Sequence, residues 1–294
     1  MILVLGKNGQ VGGALAKLLG SGEVAFDSQE INLTQPDFTD RLTVLFQQHD
    51  FSTIINAAAY TQVDKAESEP ELAMRINGNA VGELAGWCKT HDVTLVHYST
   101  DYVFDGSGTK PHTEEEATAP LSVYGESKLR GERLITESGA EHLIVRTSWV
   151  YDASGKNFFT TMRRLFMERE ELKIVADQAG APTYAPHLAR ATLAALEAAK
   201  KTEHFPSGIY HLCGGSETSW YGFARAILGL ASGHESGIKC RQLQPIPTCE
   251  YPTEALRPLN SRLDCTKAET TFGVRLPHWE DALKECYESI RLRH

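Results

Sequence analysis

Tyr124 and Lys128 stand four residues apart in the stretch Val123-Tyr124-Gly125-Glu126-Ser127-Lys128. On a helix that spacing puts both side chains on one face, about one turn apart. A lysine ammonium beside a phenol favours the phenolate and lowers a pKa that is about 10 when unperturbed. A tyrosine tuned in this way can give a proton to a carbonyl oxygen. Thr100, in Tyr98-Ser99-Thr100-Asp101-Tyr102, offers a hydroxyl toward the same oxygen, and Lys128 has the reach to bond a nicotinamide ribose. Taken alone, a Tyr/Lys pair at helical spacing mostly marks a solvated face.

The start of the chain changes that balance. Gly6, Gly9 and Gly12 form GxxGxxG directly after the apolar run at residues 2–5. Between a strand and a helix, such glycines let the backbone turn tightly, approach a pyrophosphate and aim helix N-terminal amides at it. Asp27 follows the second apolar run, where an acidic residue would bind the adenosine ribose hydroxyls. It would also repel a 2′-phosphate, so NADH is favoured over NADPH, with NADPH still possible. Asn56-Ala57-Ala58-Ala59-Tyr60-Thr61 has small side chains that leave room for a cofactor. A glycine cradle, a hydroxyl residue and a Tyr/Lys pair, in that order, imply a nicotinamide-dependent reductase.

Alternating short elements must position these groups. Strands are expected at residues 2–5, 23–27, 53–58, 94–99 and 142–147. Helices are expected at 11–19, 42–49, 70–91 and 123–138. This rhythm predicts an α/β, Rossmann-like doubly wound parallel sheet covered on both faces. After about Val150 the pattern loosens into helices at 157–168, 186–200, 219–230 and 279–292, with a short strand at 209–212. Four prolines make 244–260 a loop region. The division expected is a dinucleotide domain at 1–150, with 183–212 returning to it. A smaller mixed α/β substrate region takes 151–182 and 213–294.

Composition narrows the class. The 294 residues are 23% charged and 41% apolar, with a net charge of -9 and no basic block, which argues against nucleic acid as partner. Six scattered cysteines without a CxxC spacing fit a reducing compartment rather than a disulfide framework or zinc site. No basic leader precedes the first strand and no apolar run is long enough for a bilayer. A cytoplasmic protein with no membrane partner is expected.

The chain resembles the extended short-chain dehydrogenase/reductase family, and within it the reductases of nucleotide-bound keto sugars. The segments that carry the resemblance include Gly6 to Gly12, Asn56 to Glu67, His97 to Phe104, Val123 to Leu129, Arg146 to Tyr151, Asp177 to Thr183 and Arg257 to Leu263. The resemblance implies Tyr124, Lys128 and Thr100 as catalytic. It implies Gly9, Gln10 and Val11 at the pyrophosphate, Asp27 at the ribose, Asn32 and Leu33 at the adenine, and Ala59, Tyr60 and Thr61 lining the crevice. Thr100, Asp101 and Trp149 would contact the sugar, and Asn157 and Arg257 the diphosphate. Some relatives hold Mg²⁺ between subunits through glutamates. Here Ala14 and Leu15 occupy the first helix and no glutamate flanks Pro186-His187, so no metal is expected and the state is a monomer or a homodimer. Another nucleotide-sugar reaction on this fold, or a non-catalytic regulatory subunit like that of methionine adenosyltransferase, stays open. Against a dehydratase, Thr100-Asp101 is followed by Tyr102 rather than a second carboxylate.

Overall fold

Alternation of apolar side chains sets the central layer. Leu3 and Leu5 of β1 (Ile2–Leu5) turn to one face with Ile54, Leu95 and Ile144, while Val4 turns to the other with Ile55, Val96 and Val145. Strands that are apolar on both faces belong in a parallel sheet covered on both sides. The computed structural model describes residues 1–20 and 24–291, and has that sheet. β2 (Val24–Phe26), β1, β3 (Thr53–Asn56), β4 (Thr94–Thr100), β5 (His142–Thr147) and β6 (Gly208–His211) lie side by side in that order, all parallel. The expected doubly wound α/β fold is the one observed. Winding reverses between β1 and β3, and at such a point a crevice opens beyond the carboxyl ends of the strands.

Helices close both faces. α1 (Gln10–Leu19) contributes Leu15 to one apolar layer, whereas α2 (Phe38–His49) and α3 (Ala80–Thr90) contribute Leu42, Leu84 and Trp87 to the other. α4 (Val123–Ser138) lies along the same side as α3 through Ile135. It is also pinned from below. Arg146 of β5 donates from Nε and Nη2 to Glu132 at 2.9 and 2.7 Å, both side chains 2% exposed, with the guanidinium 5.0 Å from the centre of the Phe104 ring. α5 (Phe158–Glu168), α7 (Trp220–His234) and α8 (Trp279–Arg291) share a separate core built on Phe159, Phe166, Phe223, Ile227 and Leu283. α6 (Ala185–Ala199) instead joins α1 beneath the main sheet through Leu188 and Leu196.

The strands expected at 2–5 and 142–147 and the helix at 123–138 have those bounds, and other elements shift by a few residues at their ends. Two of the expected bounds, Glu23 and Leu292, lie outside the described residues. Two expectations are corrected. The long helix at 70–91 is instead Pro70–Met74, a π-helical turn Arg75–Asn79, then α3. Asn77-Gly78-Asn79 lowers helix propensity there, and one extra residue per turn lets Asn77 turn inward. The loop at 244–260 begins inside a strand, Gln242–Ile246, paired in parallel with Glu171–Val175, with Pro245 opposite Ile174. Two strands alone are both edges, so a residue without an N–H is tolerated. Further on, Asn260–Ser261 joins Ala179–Gly180 and Thr218–Ser219 in a small sheet, bringing three distant segments together. Among the described residues no helix is long and apolar enough to cross a membrane.

Candidate active site

At the crevice, the backbone after β1 folds into a cradle that excludes side chains. Gly6 has φ +86°, and a Cβ on it would lie 2.7 Å from Ala58 N; one on Gly12 would lie 2.1 Å from Gly6 O. Gly9 caps α1 without a side chain, so the first-turn amides of Gln10 and Val11 receive no side-chain acceptor. Gln10 Oε1 is buried without a partner. An uncapped helix N-terminus over a bare backbone turn fits a dinucleotide pyrophosphate.

Asp27 sits just past β2. Its carboxylate accepts from Gln29 N and Asn8 Nδ2, each at 2.9 Å, and these bonds with nearby Lys7 hold its pKa below the ordinary value. Lys7 Nζ stands 3.9 Å from Asp27 and 2.5 Å from Glu30, so a cation flanks the acid expected to bind a ribose. Asn32 is folded into a turn, its Oδ1 accepting from the Thr34 amide and hydroxyl. Leu33 buries its side chain in the core with Ile31 and Phe38, leaving its backbone for any ligand contact. Ala59, Tyr60 and Thr61 follow β3, and the Tyr60 peptide is clamped by Asn77: its N–H donates to Oδ1 at 2.8 Å and its carbonyl accepts from Nδ2 at 3.0 Å.

The residues expected to react meet at the carboxyl end of β4. Thr100 closes that strand, and its hydroxyl donates to Asp101 Oδ1 at 3.0 Å while accepting from Tyr102 N at 3.2 Å. α4 can approach because residue 125 is glycine; a Cβ there would lie 2.3 Å from Tyr102 O. Tyr124, on the first turn of α4, shares a hydrogen bond with the Thr100 hydroxyl. Burial and the Asp101 charge push the phenol up to about 12. The expectation that Lys128 lowers it is therefore corrected. Lys128 points elsewhere, donating to Tyr98 O at 2.6 Å and meeting His97 Nε2 at 3.0 Å, and burial pushes it down to about 8. Asp101 is itself pushed up to about 6 by burial, against hydrogen bonds from Ser261 and Thr100.

Trp149, two residues beyond β5, adopts φ +48°. For a bulky residue that conformation costs on the order of 1–3 kcal/mol and is held by its surroundings. One indole face stacks on Trp220 at 3.7 Å and 14°, and the ring also lies against Gly180. Trp149, expected at a sugar, thus has one of its two ring faces taken up by Trp220. Asn157 is the N-cap of α5. Its Oδ1 accepts from Thr160 N and its amide donates to Asp152 O and Ser154 O, so the side chain is engaged within its own loop and not presented to a diphosphate. Arg257 makes a two-pronged pair with Asp64 at 3.0 and 2.7 Å, tying the segment after the Thr248–Glu250 turn to the crevice side of the molecule.

Three contributors escaped the sequence reading. Asn77 also donates to Ser127 Oγ at 3.0 Å, linking the crevice loop to α4. Ser261 and Trp220 arrive through the small sheet and the start of α7. The Asn-Gly-Asn interruption of an otherwise helical stretch was the one available signal; Ser261 and Trp220 carry none, because only tertiary pairing places them.

Comparison with known proteins follows the same lines. The family model described as the RmlD substrate binding domain matches residues 1–292. The dTDP-4-dehydrorhamnose reductase of Burkholderia thailandensis is 44% identical over 98% of this chain and 98% of its own length. That of Escherichia coli K12 is 43% identical over 98% and 97%. Among solved structures, the Bacillus anthracis dTDP-4-dehydrorhamnose reductase in complex with NADP superposes with a TM-score of 0.89 at 32% identity, covering 98% of each chain.

A pH test follows from Asp101. Its folded-state pKa is raised from 3.8 to about 6, so the folded protein keeps a proton that the unfolded chain has lost. Stability from this group is present below about 4 and is lost as pH rises through about 6. Asp101→Asn is expected to gain melting temperature relative to the parent between pH 4 and pH 8. An equal difference at both pH values would show that burial does not strain this carboxyl.

Proposed function

The chain belongs to the RmlD substrate binding domain family, and on that premise we propose that it reduces the C4 ketone of dTDP-4-dehydro-6-deoxy-L-mannose to give dTDP-L-rhamnose. The observation that carries the proposal is the meeting of Thr100, Tyr124 and Lys128 at one strand end, beside a backbone cradle fit for a dinucleotide. NADH or NADPH, when bound, supplies the hydride to C4. Gly9, Gln10 and Val11 would hold its pyrophosphate, Asp27 its adenosine ribose, and Lys128 its nicotinamide ribose.

The chain's own groups manage the proton. Tyr124 keeps its phenolic proton until an alkoxide forms on C4, a far stronger base than the phenolate, and then donates it. Thr100 would turn its hydroxyl from Asp101 to the substrate oxygen, which can only accept, and hold it beside the phenol. Asp101 and the Trp149 edge would contact the hexose. Arg257 would meet the diphosphate by exchanging one of its contacts with Asp64, since a guanidinium can bind phosphate oxygens in pairs. We assign the cofactor role to residues 1–150 with 183–212, and the sugar role to 151–182 and 213–294. The protein acts in the cytoplasm, as a monomer or homodimer.

Turnover of dTDP-4-dehydro-6-deoxy-L-mannose, read as loss of reduced nicotinamide absorbance, tests the reading directly. No turnover with either nicotinamide would point to a regulatory subunit instead. Tyr124→Phe is expected to lower kcat by about 10²–10⁴-fold with cofactor binding retained. Thr100→Val should cost less, since the proton donor stays in place; near-full kcat in Tyr124→Phe would mean that another group gives the proton. Asp27→Ala is expected to weaken NADH by roughly ten- to hundredfold, as loss of one charged hydrogen bond of about 1.5–3 kcal/mol requires, and to favour NADPH beside Lys7. An unchanged NADH/NADPH ratio would reduce Asp27 to a turn residue.

A further inference from the structure

Cys213 and Cys265 are 52 residues apart in the chain, yet their sulfurs stand 3.6 Å from one another. Cys213 lies just past β6, the edge strand of the main sheet. Cys265 follows the small-sheet strand Asn260–Ser261 and precedes the helix Thr266–Phe272. Both sulfurs also approach the Leu263 carbonyl, each at 3.9 Å, so the two side chains converge on one point. Both are free thiols, and a disulfide needs its sulfurs about 2.05 Å apart, so a modest closure joins them.

The pair is also within reach of a small reagent. Both cysteines line a cavity of about 580 Å³, with Gly180, Ala181, Gly214 and Arg262 among its other walls. Cys213 is 5% exposed, while Cys265 is only half-buried and is the thiol that a reagent meets first. The hydrogen bond from Cys213 favours a thiolate on Cys265 and holds it below the ordinary thiol value, against the effect of burial. The same contact, with burial, pushes Cys213 up.

We propose that Cys213 and Cys265 form a redox modification site, a dithiol that a hydroperoxide converts into an intramolecular disulfide. The Cys265 thiolate attacks one peroxide oxygen, the O–O bond breaks, and the departing oxygen anion takes up a proton. Cys265 is left as a sulfenic acid. Cys213 then attacks the Cys265 sulfur; the S–S bond forms, and the sulfenic oxygen leaves as water with the Cys213 proton. The two sulfurs lose two electrons between them, and the peroxide gains them. In a reducing compartment such a bond is transient, because an external dithiol reopens it.

The bond pulls on the segment that reaches the sugar side. Ser261, four residues before Cys265, bonds Asp101, and its register partner Gly180 lies against the Trp149 indole. The glycine cradle follows β1, four strands away from β6 in the sheet. Oxidation therefore acts on the sugar nucleotide rather than on the cofactor. The site itself is independent of the reductase reading; this effect rests on it.

Mass spectrometry of the full chain after treatment with hydrogen peroxide tests the site without any turnover. The expected product has lost two hydrogens, and trypsin without reductant releases residues 202–225 joined to residues 263–267. Dithiothreitol should separate them. Cys213→Ser should stop at a sulfenic acid on Cys265, trapped by dimedone. Both thiols left free, or Cys265 oxidised in the parent without joining Cys213, would overturn the site. The parent spectra decide even if the variant does not fold. The oxidised protein should also lose roughly tenfold in kcat/KM for the sugar nucleotide, with cofactor binding kept and recovery after dithiothreitol. Cys265→Ser should keep its kcat/KM through the same treatment. Joined cysteines with unaltered kcat/KM would overturn the link to the sugar side. No turnover before oxidation would contradict the reductase reading alone.

Discussion

One buried amine organises the chemistry of this fold. Lys128 spans from α4 to the end of β4, where its bond to Tyr98 O fixes the helix against the strand. With that bond made, Tyr124 one turn earlier comes level with Thr100 at the strand end. Gly125 permits the approach from the side, and the Glu132–Arg146 pair anchors the next turn of α4 to β5. A buried charge pair is weak evidence for stability by itself, because desolvation offsets its attraction. Here its value is geometric: two adjacent turns of one helix are tied to two adjacent strands.

Burial then decides protonation. The same low-dielectric interior pushes Tyr124 up to about 12 and Lys128 down to about 8, so the phenol keeps its proton at neutral pH. For a reductase this is the useful resting state, since the tyrosine must begin the reaction with its proton in place. Asp101, raised by the same cause, adds to the pressure on Tyr124 when it ionises.

Much of this was legible in the sequence, for identifiable reasons. The alternation of short strands with helical segments announced a covered parallel sheet, and GxxGxxG lay where a strand turns into a helix. Tyr124, Lys128 and Thr100 were found because a spacing of four on a helix, and the last residue of a strand, are local properties. What was not legible depends on pairing between distant segments. Trp149 gave no hint that Trp220 covers one of its faces, nor Arg257 that Asp64 holds it. Asn157 has the composition of a ligand contact and the geometry of a helix cap. The effect of Lys128 on Tyr124 was misjudged because spacing gives proximity along the helix but not where a flexible side chain ends. His97 and the Tyr98 carbonyl, both on β4, draw the amine away from the phenol.

The central claim is that Tyr124 waits as a neutral phenol. Phenolate absorbs near 295 nm, so the difference in absorbance between the parent and Tyr124→Phe across pH isolates this one residue. The expected result is no Tyr124 phenolate until the pH exceeds the ordinary phenol value of about 10. A difference signal with its midpoint between pH 7 and 9 would show that a charged Lys128 draws off the proton, and would contradict the electrostatic arrangement described for this site.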